Sequence, residues 1–342
     1  MVGKKQSIAL FGIYLLAGLL AAEIGARGLL YIEWRRELKA GRGLNMPDSV
    51  VGYRLIPGKA AWGRTVNSLG FMGPEFPMRK PGGVFRIVCS GNSITFGEAA
   101  SSEKTTYPAL LEKAINERGG IMAPVEVINA GVMGYTSYQC LMDMKTRLIA
   151  LQPDLVILCA MWNDMTMSKY IGWKPDINWH DPWHFFTVKG SYAFWLLNQR
   201  AFHIPAEVKP DPLKAFTGTL EEIVALCESH GIGLAFLDSP TMFSNVMTPG
   251  EEKKCTINFF VRGEIPLYAA YVAAMKEVAA RHLIPVLDSG LTYSVSGKDS
   301  LLVDVCHPND TGYRHMVRVL YPQVKTEIQR IMKTRPVGEH VR

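Results

Sequence analysis

A serine, a histidine and an aspartate occupy positions that suit acyl transfer. Ser93 follows an apolar run through Gly91 and precedes a helix, so its hydroxyl would lie beside amides that favour negative charge. His307 can take the Ser93 proton as general base, and Asp304 is near enough in sequence to hold the imidazole in one tautomer. These three residues are the predicted catalytic set for ester hydrolysis.

Two further residues offer hydrogen bonds to a developing oxyanion. Gly134 lets the backbone approach with its N–H unobstructed, and Asn163 offers a side-chain donor. One such donor is typically worth about 3 kcal/mol in the transition state. Gly131 lies close to Gly134 in sequence, and we expect it to be a tight-turn residue instead.

The elements that position these residues follow an alternating pattern. Short apolar runs are Phe85–Cys89, Val125–Ile128, Leu155–Cys159, Ile232–Leu237 and Ile284–Leu287. Segments at helical spacing are Pro108–Arg118, Ser137–Leu151, Leu213–His230, Pro266–His282 and Thr311–Met332. Strands that are apolar on both faces and alternate with helices predict one doubly wound α/β domain with a parallel sheet. The chemistry of such a sheet lies at the carboxyl ends of its strands, where the candidate residues stand.

Four blocks in this order resemble the SGNH hydrolases, also called the GDSL family. They are Gly91-Asn92-Ser93-Ile94-Thr95, a block centred on Gly134, Asn163-Asp164, and Asp304-x-x-His307. The resemblance, which runs from about Arg86 to the last helix, implies a three-layer α/β/α, flavodoxin-like fold. It implies serine esterase, lipase or acyl-transfer activity with no metal or organic cofactor. By this resemblance Ser93 is the nucleophile, Asp304 and His307 complete the triad, and Ser93 N–H, Gly134 N–H and the Asn163 side chain form the oxyanion hole.

The sequence departs from the family pattern at two positions. Asn92 replaces the usual aspartate, and because it keeps a hydrogen-bonding side chain of the same size, we expect little effect on activity. Met161 replaces a usual glycine, and we expect its bulk to reshape the oxyanion loop or narrow the acyl pocket. Thr95 argues against the α/β-hydrolase elbow, which needs a second glycine there.

The net charge of +6 lies at the two ends of the chain. Residues 1–42 hold seven basic and three acidic side chains, residues 333–342 hold three and one, and 27 of each kind remain between 43 and 332. A formally neutral body lacks the basic surface that nucleic-acid binding needs. We predict no nucleic-acid partner and a small acyl ester, glycan- or lipid-borne, as substrate.

The amino-terminal segment predicts a membrane anchor. Ile8–Ala22 carries no charge, and Glu23 with Arg27 can pair on one helix face, so the apolar stretch continues to Ile32 and is long enough to span. A cleaved signal peptide is the alternative. Counting basic residues around the span places the body in the cytoplasm. Resemblance to a bacterial membrane-anchored branch implies an extracytoplasmic, periplasmic-side catalytic domain, which is the predicted localisation.

The chain divides into four predicted parts. Residues 1–40 are the anchor and its flank, 41–83 a Gly/Pro-rich arm, 84–333 the catalytic domain and 334–342 a tail. The arm has no sustained period, so we expect an irregular arm or edge hairpin, ordered because it is rich in aromatic residues. Within it, Asn67-Ser68-Leu69-Gly70-Phe71 contributes to the resemblance to the anchored branch.

Three further features of the sequence are an aromatic-rich stretch, a pair of histidines and the cysteines. The aromatic-rich stretch Trp173–Phe202 is a predicted lid or acyl-pocket wall, with a satellite core as the alternative. His180 and His184 are four apart, but Pro182 interrupts any helix there and no ligand cluster completes a site, so we predict no metal. The six cysteines have no C-x-x-C spacing, and packing is their predicted role; disulfides are permitted but not required.

Three functions remain open from the sequence. The leading prediction is an anchored esterase that removes acyl groups from envelope glycans or lipids through an acyl-Ser93 intermediate. An O-acyltransferase would pass the same acyl group to a sugar hydroxyl instead of water. A non-catalytic envelope protein with the same fold is the third possibility, because of Asn92 and Met161.

Overall fold

The amino-terminal helix is long and apolar. The computed structural model describes residues 2–39, 43–61, 63–168, 210–257 and 264–334. Helix α1 (Val2–Lys39) opens the chain, and within it Leu10–Leu29 has a mean hydropathy of 1.5 and suffices in length and composition to cross a membrane. A signal sequence would pass the same test. The predicted pair forms inside this segment, with Arg27 Nε 2.7 Å from Glu23 Oε1.

The arm forms two short antiparallel hairpins, and a hairpin was one of the two forms expected for it. Strand β1 (Asn45–Asp48) pairs with β2 (Gly52–Leu55), and β3 (Ala60–Ala61) pairs with β4 (Arg64–Thr65). Asp48 Oδ1 accepts two backbone N–H groups of the first turn, which closes that hairpin. The Asp48 side chain therefore helps to fix this hairpin, although the sequence of the arm has no alternating strand pattern.

Five parallel strands form the central sheet. They are β5 (Phe85–Gly91), β6 (Val125–Gly131), β7 (Leu155–Cys159), β8 (Gly233–Asp238) and β9 (Val286–Asp288). Their order is β6-β5-β7-β8-β9, which is the flavodoxin-like order with a switch point beside β5. Strands β5 and β7 are buried along their whole length. The predicted parallel α/β sheet is confirmed.

Helices cover the sheet in two groups. The helices after α1 are α2 (Ser93–Phe96), α3 (Tyr107–Arg118), α4 (Ser137–Asp143), α5 (Trp162–Ser168), α6 (Pro210–Ser229), α7 (Pro249–Ile257), α8 (Ile265–Arg281) and α9 (Asp310–Thr334). Helix α3 packs with α9, while α6 packs with α4, α5 and α8. This pairing agrees with the predicted three layers.

One local prediction is confirmed and one is wrong. The segment predicted at helical spacing over Ser137–Leu151 is helical throughout, because α4 continues as a π-helical turn (Met144–Leu148) and a 3₁₀ turn (Ile149–Leu151) before Gln152 ends it with a left-handed φ of 56°. Gly131 is not a turn residue: it ends β6 opposite Gly91, and a Cβ there would collide with the backbone of Phe96. Its function is therefore to let α2 approach the sheet closely.

Candidate active site

Ser93 lies in a tight turn between strand β5 and helix α2. Asn92 is the helix cap, and its Oδ1 accepts the Ile94 N–H at 3.0 Å. Gly97 closes the short helix in a left-handed conformation, and its N–H donates to Ser93 O at 2.9 Å. An asparagine oxygen can cap a helix as an aspartate oxygen does. The replacement at Asn92 therefore leaves the turn that presents Ser93 intact.

Ser93, His307 and Asp304 form one hydrogen-bonded line. His307 Nε2 lies 2.7 Å from Ser93 Oγ, and His307 Nδ1 lies 2.6 Å from Asp304 Oδ2. Asp304 Oδ1 accepts the N–H groups of Cys306 and His307 at 2.9 and 2.8 Å. Burial acts to raise the pKa of Asp304, but its bonds to His307 and the imidazolium charge hold it below its ordinary value. An ionised Asp304 is suited to hold the Nδ1 proton, which leaves Nε2 to accept from Ser93.

The sheet register aligns the loops that carry the other candidates. Gly91 pairs with Gly131 on one side and with Cys159 on the other, so the three strands end at the same level. The Val132 N–H then donates to Gly91 O at 3.0 Å, which ties the loop after β6 to the end of β5. The segments after β5, β6 and β7 therefore meet at one edge of the sheet.

Three donors at this edge remain available to an oxyanion. In the part of the chain that the structure describes, the N–H groups of Ser93 and Gly134 have no hydrogen-bond partner. Gly134 has a φ of 81°, which glycine adopts without strain. Asn163 Nδ2 donates one hydrogen to Tyr135 O at 2.8 Å, which fixes the amide and leaves its second hydrogen for a ligand. These are the three predicted donors, each positioned by a different strand end.

Comparison with known proteins identifies the family. Residues 89–315, which span the whole of this site, match the family model described as "GDSL-like Lipase/Acylhydrolase family". The chain belongs to this family. The predicted SGNH, or GDSL, hydrolase is thereby confirmed, as is the enzyme class of ester hydrolase; the membrane-anchored branch stays a prediction. A search of curated proteins found no match.

Several solved structures are similar to this GDSL-like acylhydrolase at low identity. LAE5, an alpha/beta hydrolase from the metagenome of Lake Arreo, is 19% identical with a TM-score of 0.47 over 74% of this chain and 99% of that one. The lipase/acylhydrolase from Enterococcus faecalis is 18% identical with a TM-score of 0.45 over 71% and 96%. The acetyl xylan esterase AlAXEase is 15% identical with a TM-score of 0.45 over 70% and 100%. None of these values is high enough to transfer a substrate to this chain.

Asp164 ties the Asn163 loop of this GDSL-like acylhydrolase to helix α4. It is buried, and its two oxygens accept the Ser137 N–H at 3.1 and 3.0 Å, while one also accepts the Met161 N–H at 3.2 Å. Burial raises the pKa of Asp164 to about 6, although its hydrogen bonds to Ser137 act in the opposite direction. The carboxyl therefore joins the loops after β6 and β7, which hold two of the predicted oxyanion donors.

Met161 has an unusual backbone conformation. Its φ of 105° lies in the region that favours glycine, and its side chain is buried. A non-glycine residue there is strained by on the order of 1 kcal/mol or more. The family's usual glycine at this position is therefore explained by backbone geometry. Here the methionine is retained despite that strain, directly before Trp162 and Asn163 at the site.

Replacing Met161 by glycine is expected to leave a more stable protein than replacing it by alanine. Both changes remove the buried side chain, but only glycine relieves the strain, by about 1 kcal/mol. Elsewhere glycine is the worse residue by roughly 0.5–1 kcal/mol. Thermal unfolding of both variants measures the order. Met144 is buried in an ordinary helical conformation, so at that position the alanine variant should be more stable than the glycine variant. If the alanine variant is the more stable one at Met161 as well, the backbone strain at Met161 is contradicted.

The arm directly contacts the loop that carries Gly134. Tyr53 is buried, and its hydroxyl donates to Met133 O at 2.7 Å, next to Gly134. The Tyr135 hydroxyl donates to Tyr53 O at 2.6 Å, and the two rings pack edge to face with centroids 5.3 Å apart. The sequence did not predict this role, although a tyrosine in a Gly/Pro-rich segment is the one signal available. The loop that carries Gly134 is therefore held by the arm, which lies outside the catalytic domain predicted over residues 84–333.

Replacing Tyr53 by phenylalanine is expected to cost about 1 kcal/mol of stability, because the Met133 carbonyl loses its donor. A comparable loss in the transition state would lower kcat about fivefold, since Gly134 is the next residue. Unfolding curves and kcat on a nitrophenyl ester measure the two effects. The Tyr138 hydroxyl makes no hydrogen bond among the described residues, so Tyr138→Phe is the matched control. If the two variants have the same unfolding free energy and the same kcat, Tyr53 does not support the loop that carries Gly134.

Arg64 holds the segment that follows Ser93. It is buried, and its Nη2 donates to the carbonyls of Gly97, Glu98 and Ala100, each at 2.6 Å. Burial lowers the pKa of this arginine, in part offset by nearby acidic groups. Glu98, in the held segment, places Oε2 3.2 Å from His307 Nε2. The sequence predicted neither residue, and the only signal was that Glu98 is acidic and five residues after Ser93.

The described part of the chain holds one group with metal-ligand geometry. Donor atoms of Asp304, Cys306 and His307 lie within 4.8 Å of one another. Asp304 and His307 already bond to each other, and burial raises the pKa of the Cys306 thiol, which disfavours the thiolate that binds metals. All six cysteines are free and buried. Trp173–Phe202, with His180 and His184, lies outside the described residues, so the lid and the histidine pair stay untested.

Proposed function

We propose that this protein is a serine esterase that acts through an acyl-Ser93 intermediate. The observation that carries the proposal is the line from Ser93 Oγ through His307 to Asp304, with 2.7 and 2.6 Å contacts. Ser93 Oγ attacks the acyl carbon as His307 takes its proton, and the oxyanion receives the N–H groups of Ser93 and Gly134 and the Asn163 amide. Water then hydrolyses the acyl-enzyme with His307 again acting as base.

The experiment that tests this proposal combines covalent labelling with turnover. A fluorophosphonate should label the full chain once, and acetyl and longer-chain nitrophenyl esters should be hydrolysed. The ratio of the turnover rates of the acetyl and longer-chain esters also indicates the size of the acyl pocket. A chain that neither takes the label nor hydrolyses any ester would instead favour the non-catalytic envelope protein.

An O-acyltransferase remains the second candidate, since it would use the same acyl-Ser93. The placement of Ser93 and His307 serves either an incoming water or an incoming sugar hydroxyl. Incubating the acyl-enzyme with an excess of a sugar acceptor separates the two. Product ester in excess of hydrolysis would favour the transferase.

We further propose that α1 anchors the enzyme to a membrane, with substrates on envelope glycans or lipids. The exposed apolar side chains of Leu10–Leu29 support this, and they support a signal sequence equally. In this proposal residues 1–40 are the anchor, 41–83 the arm, 84–333 the catalytic domain and 334–342 the tail. A carboxyl-terminal alkaline phosphatase fusion tests on which side of the membrane the catalytic domain lies. An active phosphatase supports an extracytoplasmic catalytic domain, and an inactive one contradicts it.

A further inference from the structure

The imidazole of His307 faces a second carboxylate. Its Nε2, 2.7 Å from Ser93 Oγ, is also 3.2 Å from Glu98 Oε2. The Glu98 side chain is 48% exposed, so it lies at the mouth of the site rather than in the core. The nitrogen that moves the proton in the reaction therefore has a carboxylate beside it on the solvent side.

The backbone of Glu98 is fixed while its charge stays available. Its N–H donates to Ser93 O at 3.0 Å, and its carbonyl accepts from Arg64 at 2.6 Å. Arg64 is committed to three carbonyl oxygens. Within the described ranges, the Glu98 carboxylate forms an ion pair with His307 and with no lysine or arginine. Among the described residues, a ligand that enters the site therefore meets a carboxylate whose one ion-pair partner is the His307 imidazole.

Glu98 is one of several groups that shift the pKa of His307. Burial acts to lower the pKa of His307, whereas Cys306, Asp304 and Glu98 act to raise it, and the net pKa is well above its ordinary value. The Cys306 thiol is neutral at neutral pH, because burial raises its own pKa. The charges that stabilise the imidazolium are therefore Asp304 on Nδ1 and Glu98 beside Nε2.

The proposed reaction places the alcohol half of the ester next to Glu98. When the bond from Ser93 Oγ to the acyl carbon forms, the bond from that carbon to the alcohol oxygen breaks, and His307 passes the serine proton from Nε2 to this oxygen. Proton transfer requires the alcohol oxygen within hydrogen-bond distance of Nε2. Because Glu98 Oε2 is 3.2 Å from the same nitrogen, it borders the place where the alcohol leaves.

We propose that Glu98 selects the alcohol half of the substrate by accepting a hydrogen bond from a hydroxyl adjacent to the ester oxygen. The substrates are then O-acyl esters of polyhydroxy alcohols, either sugars or glycerol. This inference rests on the proposed esterase function, which it makes more specific. A hydroxyl is matched to an exposed carboxylate because a hydrogen bond to a charged acceptor is stronger than one to a neutral acceptor.

The test compares acetyl esters that carry neighbouring hydroxyls with esters of similar size that lack them. Acetyl esters of methyl glucoside and of glycerol are compared with cyclohexyl acetate and propyl acetate, which lack the hydroxyls. The wild-type chain should favour the hydroxylated member of at least one pair by about 10-fold in kcat/KM. Glu98→Ala should remove that preference, and Glu98→Gln should reduce it. The pair that shows the preference distinguishes a sugar from a glycerol substrate.

A pH profile separates this role from a merely structural one. His307 must be neutral to act as base, and Glu98 stabilises its charged form. In Glu98→Gln the acid limb of kcat/KM should therefore move to lower pH. Glu103 is an acidic residue near the same segment without a contact to His307 among the described residues, so Glu103→Ala should leave both the preference and the limb unchanged.

Two outcomes are decisive. If Glu98→Ala keeps the full preference for hydroxylated esters, or if the wild type shows no preference while it hydrolyses the esters and takes the fluorophosphonate, the inference about Glu98 is overturned. If the wild type hydrolyses no ester and takes no label, the proposed esterase function itself fails. The two failures are therefore distinguishable in the same set of assays.

Discussion

Replacement of Ser93 by alanine is expected to lower kcat about a millionfold and to abolish fluorophosphonate labelling. Ser93 Oγ is the atom that faces His307 Nε2 at 2.7 Å, and an alanine leaves no nucleophile in its place. The fold should be unaffected, because the turn is held by the Asn92 side chain and by backbone bonds to Ser93 O, which alanine keeps. Mass spectrometry of the labelled chain and turnover of nitrophenyl acetate measure both effects.

The control for this variant is a serine on the same strand. Ser90 is buried in β5 three residues before Ser93, and it makes no contact with His307 among the described residues. Ser90→Ala should therefore still be labelled at Ser93. Labelling that persists in Ser93→Ala would show that another residue is the nucleophile, and the proposed mechanism would be wrong.

Replacement of Asp304 by asparagine is expected to lower kcat about 10⁴-fold with little change in KM. Asp304 Oδ1 accepts the N–H groups of Cys306 and His307, so the amide oxygen of an asparagine would turn toward these donors. Its NH₂ would then face His307 Nδ1, which must become an acceptor. The imidazole proton would move to Nε2, and Nε2 could no longer take the proton of Ser93.

An aspartate nearby provides the matched control for Asp304→Asn. Asp310 accepts the N–H and hydroxyl of Ser101, at 2.8 and 2.6 Å. Asp310→Asn makes the same chemical change away from the imidazole, so kcat should stay within a few-fold of wild type. If Asp304→Asn retains most of kcat, the imidazole does not depend on Asp304 for its tautomer.

The positions of Ser93, Gly134 and Asn163 were predictable because the block that carries each of them follows a strand. Apolar runs predicted the strands, and parallel strands place their carboxyl ends together, so Ser93, Gly134 and Asn163 had to meet. The structure brings their loops together through the pairing of Gly91 with both neighbouring strands. The i to i+3 spacing of Asp304 and His307 was equally informative, because it is a local geometry.

The contacts of the arm and Glu98 were not predictable in the same way. Tyr53 meets Met133 across 80 residues, and Arg64 meets Glu98 across 34, with no shared period or motif to indicate the pairing. Met161 was noticed by residue type, but its positive φ depends on how β7 joins α5. Residue types can suggest a departure from a family, whereas backbone angles and long-range contacts require the packed chain.

The contacts of the arm also bear on the order in which the site is completed during synthesis. Residues 43–83 leave the ribosome early, but the partner of Tyr53 is made 80 residues later and His307 is made 214 residues after Ser93. Contacts so distant along the chain carry the entropy of closing large loops. The contact between Ser93 and His307 therefore forms only after the chain through His307 has been translated, and a nascent chain that stops short of that residue would carry Ser93 without its proposed base.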